Sequence, residues 1–570
     1  MRKLVRYVSI SALTAVLLAL TAQGLHAATL TVSNTLDSGA GSLRSVLAAA
    51  SDGDTISFFV TGTITLTTGQ LVVGKNVTIT GPGAASLSVN GNATSRVFYI
   101  SPGKIATIDG LTITNGRAVF SSLDDDAVGG GILNDRGTLT ITNCNVSGNA
   151  AEGHRGNGVY NQGPATMTII SSTISHNATG DGNAVYNQSP VSGNGVASMT
   201  ILSSTISDNA GIGVANDGSG SIGINTGTNI ATMTVTNSTV SGNNGPGIWQ
   251  GGGFHFTNNG TRYNGNATLT VTNSTISGNA PYCGLGSSIA NIAANGITSA
   301  VTIGNTILEG GIDDGFNPGN ISLVAYADAT ATITSLGYNL SSDSAVIREY
   351  ADPGPTPTPA PTPDTGTGPG GILNALGDVR NTNPLLGTLQ NNGGPTFTHA
   401  LQPGSPAINA GGSSIVSGFD QRGAGFARVS GGRIDIGAFE VQTTVCPQPQ
   451  GYWKNNPDAW PVSSLMIGGH TYTKAELLAI LRTPAGTGKN ADASLILAYQ
   501  LIAAKLNEAS GADITYISGT INSADLLLAT FDGRLPYRVK PSTAAGQSMV
   551  GYGRALEAFN KGTTTAGCTL

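Results

Sequence analysis

Three consecutive carboxylates, Asp124, Asp125 and Asp126, are the first residues here whose type suggests chemistry, because hard oxygen donors suit a cation such as calcium. Adjacent side chains rarely converge on one ion and the alternating spacing of calcium loops is missing, so a solvated turn competes with that reading. His154 and Arg155 form the lone His-Arg pair of the repeats, suited to an acidic sugar or simply to a surface loop. Trp249, Phe254, Phe256 and Tyr263 share one Gly- and Asn-rich stretch. Rings so placed can stack on sugar faces, although Trp249 also fits the inward position of a strand. Late in the chain, Asp420, Arg422, Arg428, Asp435 and Glu440 read either as a catalytic cluster or as salt bridges closing the end of the fold. No catalytic residue and no cofactor beyond calcium is expected.

The elements that must position these residues repeat. LTVTNSTISGN at Leu269 has near-copies at Met233, Met199, Met167 and Leu139, a degenerate one at Ala106 and a truncated one at Val301. Successive starts lie 33, 28, 32, 34, 36 and 32 residues apart, which is a solenoid period. Leu269 and Val271 alternate with Thr270 and Thr272, the pattern of a strand with one buried face. Asn273 then turns a corner, since Asn tolerates left-handed backbone. A second strand carries Ile276, and a third, after a loop of variable length, centres on Ile132, Val159, Val185, Val214 or Ile248.

Three short strands per coil predict a three-sided, right-handed parallel β-helix. Stacking puts Asn177, Asn209, Asn243 and Asn279 in one column and Asn143, Asn237 and Asn273 in another, each amide bonding along its ladder. About four inward aliphatic side chains stabilise a coil by roughly 6 to 12 kcal/mol, less than the cost of ordering some thirty residues. One coil alone would not fold, so the stack is the domain.

Arg2, Lys3 and Arg6 precede an apolar run from Val8 to Leu20, and small residues follow, so residues 1–27 read as a signal peptide cleaved at about Ala27. Its removal leaves 23 basic against 32 acidic residues, with charged residues only 10% of the chain. That diffuse acidity offers no basic patch to nucleic acid. Residues 28–104 read as a cap and the first coils, with Leu43, Val46, Leu47 and Ala50 at helical spacing between an N-cap at Ser42 and a stop at Gly53. Repeats fill 105–347, a Pro- and Thr-rich inserted loop 348–371, terminal coils 372–445 and a helical domain 446–570.

DSGAGSLRSVL, DTISF, NVTITGPG and the STISGN repeats resemble secreted bacterial parallel β-helix proteins that open with a GSLR-type or CSLREA-type segment, over residues 28–440. Gly41, Ser45 and Val46 depart from the stricter CSLREA form. SLGYNL at Ser335 to Leu340, then NPLLG, FDQRG and RIDIGAFE, resemble the end region of choice-of-anchor Q proteins. The resemblance implies a pectin-lyase-like fold, on which many polysaccharide lyases and hydrolases are built. The sequence shows no recurring Asp pair and no Gly-His-Gly with a stacked base, so a non-catalytic surface protein that meets extracellular polysaccharide or a surface protein is expected ahead of such an enzyme.

GYWKNNPDAWP, LILAYQLIAAKLN and a terminal GCT resemble a module found at the ends of secreted bacterial proteins, with Asn456 where a His is expected. Thr473 and Glu476 read as a capping box, while Tyr452, Trp453 and Trp460 read as core. Cys446 and Cys568 bracket this domain, and in an exported protein a disulfide would clasp its ends. Cys144 and Cys283, four repeats apart or about 19 Å at strand spacing, are expected as free thiols. The helical tail argues against an autotransporter barrel, and no transmembrane anchor is expected in the mature chain.

Overall fold

The computed structural model describes residues 27–120, 127–177, 182–190, 195–219, 229–252, 265–281, 285–294, 297–310, 319–325, 329–343, 372–412, 418–430, 432–442, 445–512, 514, 516–563 and 568. Residues 1–26 of the stretch read as a signal peptide, and the Pro- and Thr-rich run, therefore fall outside them. The chain divides into two compact units, Met1–Gln442 and Thr443–Leu570.

The first unit is a parallel β-helix. Among the described residues its coils contribute to parallel sheets of 11, 10 and 9 strands, here sheets 1, 2 and 3 in the order a coil visits them. Asn266–Thr272, Thr275–Asn279 and Ile289–Ala293 are one such visit. Leu269 is in register with Met233 and Val301, and Val271 with Val235 and Ile303, all essentially buried. Each apolar column is thus continuous along the stack, and the Thr residues between face outward. The corner after sheet 1 has left-handed backbone at Asn143, Asn237, Asn273 and Asn305, with φ between 49° and 54°, and Ser171 and Ser203 occupy it in the intervening coils.

The expected inner ladder forms and begins one coil earlier, at Asn149. Along Asn149, Asn177, Asn209, Asn243 and Asn279, each Nδ2 donates to the next Oδ1 at 2.8–3.1 Å, and each backbone N–H donates to that same oxygen at 2.9–3.2 Å. The column of Asn143, Asn237 and Asn273 is not one ladder, because serines interrupt it. Asn143 bonds Asp109, Asn237 bonds Ser203, and Asn273 accepts from Asn305. A serine column lies beside it, in which the N–H groups of Cys144, Ser172, Ser204 and Ser238 each donate to the next coil's serine Oγ. Cys144 is a buried free thiol, pushed up to about 12 by burial and therefore unreactive; Cys283 lies outside the described residues.

The helix Leu43–Ala49 packs Leu43, Val46 and Leu47 into the core of the first coils, and Ser42 Oγ caps it by accepting from Ser45 N–H at 3.2 Å. It stops at Ala50, earlier than Gly53, because the Asp54 carboxylate takes the Ser51 and Ala28 N–H groups (both 2.8 Å) and turns the chain into a strand. Asp37 anchors the following loop by accepting from Arg44, Thr67 and Thr68.

Residues 372–442 differ from the terminal coils expected of them. Leu373 enters the core, and a single bridge joins Val379 to Leu340. Beyond that, the described residues add no strand to the three sheets. They form an antiparallel hairpin, Leu386–Gln390 with Thr398–Leu401, and a strap that runs back over the outer face of sheet 2. Gln421 pins it: Oε1 accepts from Thr239 Oγ1 (2.6 Å), and Nε2 donates to Thr205 Oγ1 (2.9 Å), Thr396 Oγ1 (3.0 Å) and the Phe397 carbonyl (3.1 Å). Outward Thr and Ser side chains suit this docking, since each hydroxyl can donate or accept.

The second unit is helical, as its sequence periodicity implies. Lys474–Arg482 starts at a capping box of Thr473 and Glu476, and Ala493–Ala509 starts at Asp492. Ala493–Ala509 buries Leu495, Leu497, Leu501, Ile502 and Leu506 as the centre of the unit, against Ser518–Leu528 and Ala544–Asn560. A hairpin of Ser464–Ile467 and His470–Thr473 and a short helix Gln450–Asn455 complete it. Cys446 and Cys568 are disulfide-bonded, with Cα atoms 5.3 Å apart. No described helix is long and apolar enough to cross a membrane.

Candidate functional site

The third strand of each coil sets up a face with its own chemistry. Ile132, Val159, Val185, Val214 and Ile248 point into the core, fully buried. Two residues later Asn134, Asn161, Asn187 and Asn216 also point inward and form a further amide ladder, ending on Gln250, at 2.7–2.8 Å per step. Between them, and so on the outer face, lie Leu133, Tyr160, Tyr186, Ala215, Trp249 and Ala290 in one register column.

Within this column Tyr160 and Tyr186 stack on each other, with centroids 5.3 Å apart and planes at 9°. That arrangement spends their faces on each other. Their hydroxyls are spent as well: Tyr160 donates to Gln188 and Tyr186 to Asp217, and Tyr99, in register with Leu133 one coil earlier, donates to Asp135 at 2.7 Å. Burial, and then the neighbouring carboxylate, push the Tyr99 phenol up to about 12 and the Tyr186 phenol upward as well, so both stay protonated donors. The Arg155 guanidinium lies 5.9 Å from the Tyr186 ring centre. These tyrosines hold coils together.

Trp249 is different. It takes the outward position of its strand, with Ile248 inward, which settles the two places the sequence left open to it. Its coil neighbours in register are Ala215 and Ala290, neither of which covers an indole. The indole lies across Gly251, where an added Cβ would come 2.3 Å from the ring, so only glycine fits beneath it. The side chain is half-buried and packs on the Tyr186 and Ala215 cluster. Phe254, Phe256 and Tyr263, which the sequence groups with it, lie outside the described residues, as do Asp124, Asp125 and Asp126. Among the described residues no three His, Cys, Asp or Glu side chains gather to hold a metal ion.

The late polar cluster is brought together and buried inside the strap. Arg422 is a fork on Asp420, with Nη2 to Oδ2 at 2.6 Å, clamped between Phe426 and Phe439 at 3.9 and 3.8 Å. Arg428, fully buried, donates to the carbonyls of Asp435 and Gly437. Asp435 and Glu440 take backbone N–H groups from Asn409, Val441, Ser430 and Asp435. Of the salt bridges expected here, Arg422 with Asp420 is one; the other groups are held mainly by backbone. Burial pushes the Glu440 carboxyl up to about 7. With every member at most 6% exposed, the cluster folds the strap and has no surface on which to meet a substrate.

One pairing had no signal in the sequence, because its partners are 158 residues apart: Ser241 Oγ and His399 Nε2, at 2.8 Å, with the other ring nitrogen on the Gly387 carbonyl at 2.7 Å. Nucleophilic hydrolysis uses such a pair. Here both residues are under 9% exposed, and the imidazole fixes the hairpin to sheet 2. The outer tyrosines and the second amide ladder did have a signal, in the VYN, VYN and VAN triplets at one place in the repeat. His154 is exposed. In the helical unit Trp453 and Trp460 are core, with Trp453 Nε1 on Asn507 at 3.0 Å, while Tyr452 remains 37% exposed against the Trp453 edge. Asn456, where a His was expected, caps the short helix by bonding the Tyr452 carbonyl at 3.0 Å.

No family model matches the sequence, and no curated protein matches it. The chain is similar in fold to ORF18 of Geobacillus virus E2, at 12% identity over 56% of this chain and 61% of that one, TM-score 0.29. It is also similar to a mutant of the PL6 family alginate lyase AlyGC (12% identity, 65% and 55% covered, TM-score 0.21). A third is a mannuronic acid specific polysaccharide family 6 lyase from human gut microbiota (11% identity, 57% and 91% covered, TM-score 0.19). The chain spans less than two thirds of the length of the first two. None of the three bears on what this chain binds.

Proposed function

We propose that this protein is a secreted or cell-surface glycan-binding β-helix without catalytic activity, and that Trp249 is its sugar platform. The observation that carries the reading is the contrast within one column. Tyr160 and Tyr186 spend both face and hydroxyl on neighbours, whereas Trp249 stands between two alanines on a glycine. An indole face held flat by packing at low entropic cost is what stacking on a pyranose requires. Export is supported by the disulfide, which persists in oxidising compartments. The helical unit would then serve attachment or a partner protein.

Retention of the full mature chain on a panel of immobilised polysaccharides, with and without calcium, tests this. Binding that weakens roughly tenfold in Trp249→Ala, with no release of shortened chains, is the expected result. Chain cleavage would instead favour a lyase or hydrolase.

A further inference from the structure

The outer face of sheet 1 holds a pattern that packing does not require. One register column runs from Thr29 through Thr107, Thr168 and Thr234 to Thr334, and threonine fills its place in all 11 strands. Any β-branched or aromatic residue suits an outward strand position. The next column along the strands does vary, with Asp109, Ile170 and Leu202 among its threonines. On the other side Thr138, Thr166, Ser198, Thr232 and Thr268 add a second hydroxyl column over five coils. The central threonines are exposed at both ends and half-buried between, and their hydroxyls bond no described residue. On sheet 2, by contrast, the hydroxyls of Thr205, Thr239 and Thr275 are taken by Phe397, Gln421 and Ala438.

The occupant of such a face must match its geometry and its charge. Strand spacing sets hydroxyls about 4.8 Å apart along a column, and the two-residue repeat sets columns about 6.6 Å apart. Threonine is stiff at χ1, so this array is in place before anything binds. Each hydroxyl can donate or accept, and so can meet either kind of site on a hydrogen-bonded surface. Asp109 is the lone charge among the outward residues of these strands, and none of them is aromatic. A polyanion would need cations here, and a sugar would need rings to stack on. A second copy would gain little, because water already satisfies the hydroxyls and there is little apolar area to bury. A neutral solid whose own surface is a rigid, periodic array of donors and acceptors at spacings of this size is ice. We infer that the outer face of sheet 1 binds ice, through water ordered over the threonine columns and shared with the crystal. Each contact is weak, and many made at once hold the chain in place. This face is separate from Trp249, which lies on sheet 3.

Slow freezing of a solution of the full mature chain tests this, with the protein measured in the ice and in the remaining liquid, and with inhibition of ice recrystallisation as a second reading. The wild type should be enriched in the ice and should keep ice grains small where an unrelated protein of similar size does neither. Thr168→Lys with Thr234→Lys, which charges the central column, should be excluded into the liquid with unchanged circular dichroism and melting. Thr63→Lys with Thr114→Lys puts the same two charges on the outer face of sheet 2 and should stay in the ice. Exclusion of the wild type overturns the proposal whatever the variants do. So does an equal loss in both lysine pairs, or a wild-type dimer in sedimentation that Thr168→Lys with Thr234→Lys splits, which would give the face to a second copy.

Discussion

Asn209→Ala should be the most destabilising single substitution in the repeat that removes no aliphatic group. Asn209 Oδ1 accepts from the backbone N–H of Asn177 (2.9 Å) and from its Nδ2 (3.1 Å), while its own Nδ2 donates to Asn243 Oδ1 (2.8 Å) and the Ile174 carbonyl (3.1 Å). The Asn177 side chain retains the Val146 and Ser175 carbonyls, and Asn243 Oδ1 retains the Asn209 backbone N–H. Two buried backbone groups, the Asn177 N–H and the Ile174 C=O, lose these partners at about 1–3 kcal/mol each. The expected cost is therefore about 2–6 kcal/mol, or at least a roughly 30-fold faster exchange of amides in the coils on either side. Asn143→Ala is the control. It sits at an exposed left-handed corner with one side-chain bond to Asp109, and should cost only about 1 kcal/mol. Native-state hydrogen exchange read coil by coil measures both. If Asn209→Ala costs no more than Asn143→Ala, the ladder is not what couples the coils.

Two further outcomes follow from the same structure. Replacing Cys446 and Cys568 by serine frees a loop of 122 residues and should destabilise the helical unit by up to about 5 kcal/mol, read from the loss of its helical ellipticity in urea. The Glu440 carboxyl is raised from 4.5 to about 7, so between those values the folded strap binds a proton that the unfolded chain does not. Its contribution is fully present below about pH 4.5 and is lost as pH rises through about 7, a change of about 3 kcal/mol. Strap amides should therefore exchange faster at pH 8 than at pH 5 after correction for intrinsic rates, and Glu440→Gln should flatten that difference.

The solenoid was legible because stacking repeats every constraint at one period: the apolar alternation of Leu269 and Val271, the corner at Asn273 and the asparagine that each coil adds to the Asn177 to Asn279 ladder recur at the same place in successive copies. The helices of the tail were legible for a similar local reason, in the capping box of Thr473 and Glu476. The hairpin and the strap were not, because Gln421 meets Thr239 and His399 meets Ser241 across more than 150 residues, and a hydroxyl on a strand does not announce what will dock on it. Expecting salt bridges among Arg428, Asp435 and Glu440 failed in the same way, since backbone N–H groups hold both carboxylates and Arg428 donates through Nη2 to two carbonyls. For the candidate site, the sequence singled out Trp249 by type. Only the register with Ala215 and Ala290 shows why its ring differs from those of Tyr160 and Tyr186.

The most direct measurement is paired retention and chain-length analysis of polysaccharides incubated with the wild-type mature chain and with Trp249→Ala. The account predicts saturable retention by the wild type, weakened roughly tenfold by the substitution, and unchanged polymer length in both. Retention that Trp249→Ala leaves untouched, or polymer shortening by the wild type, would contradict it.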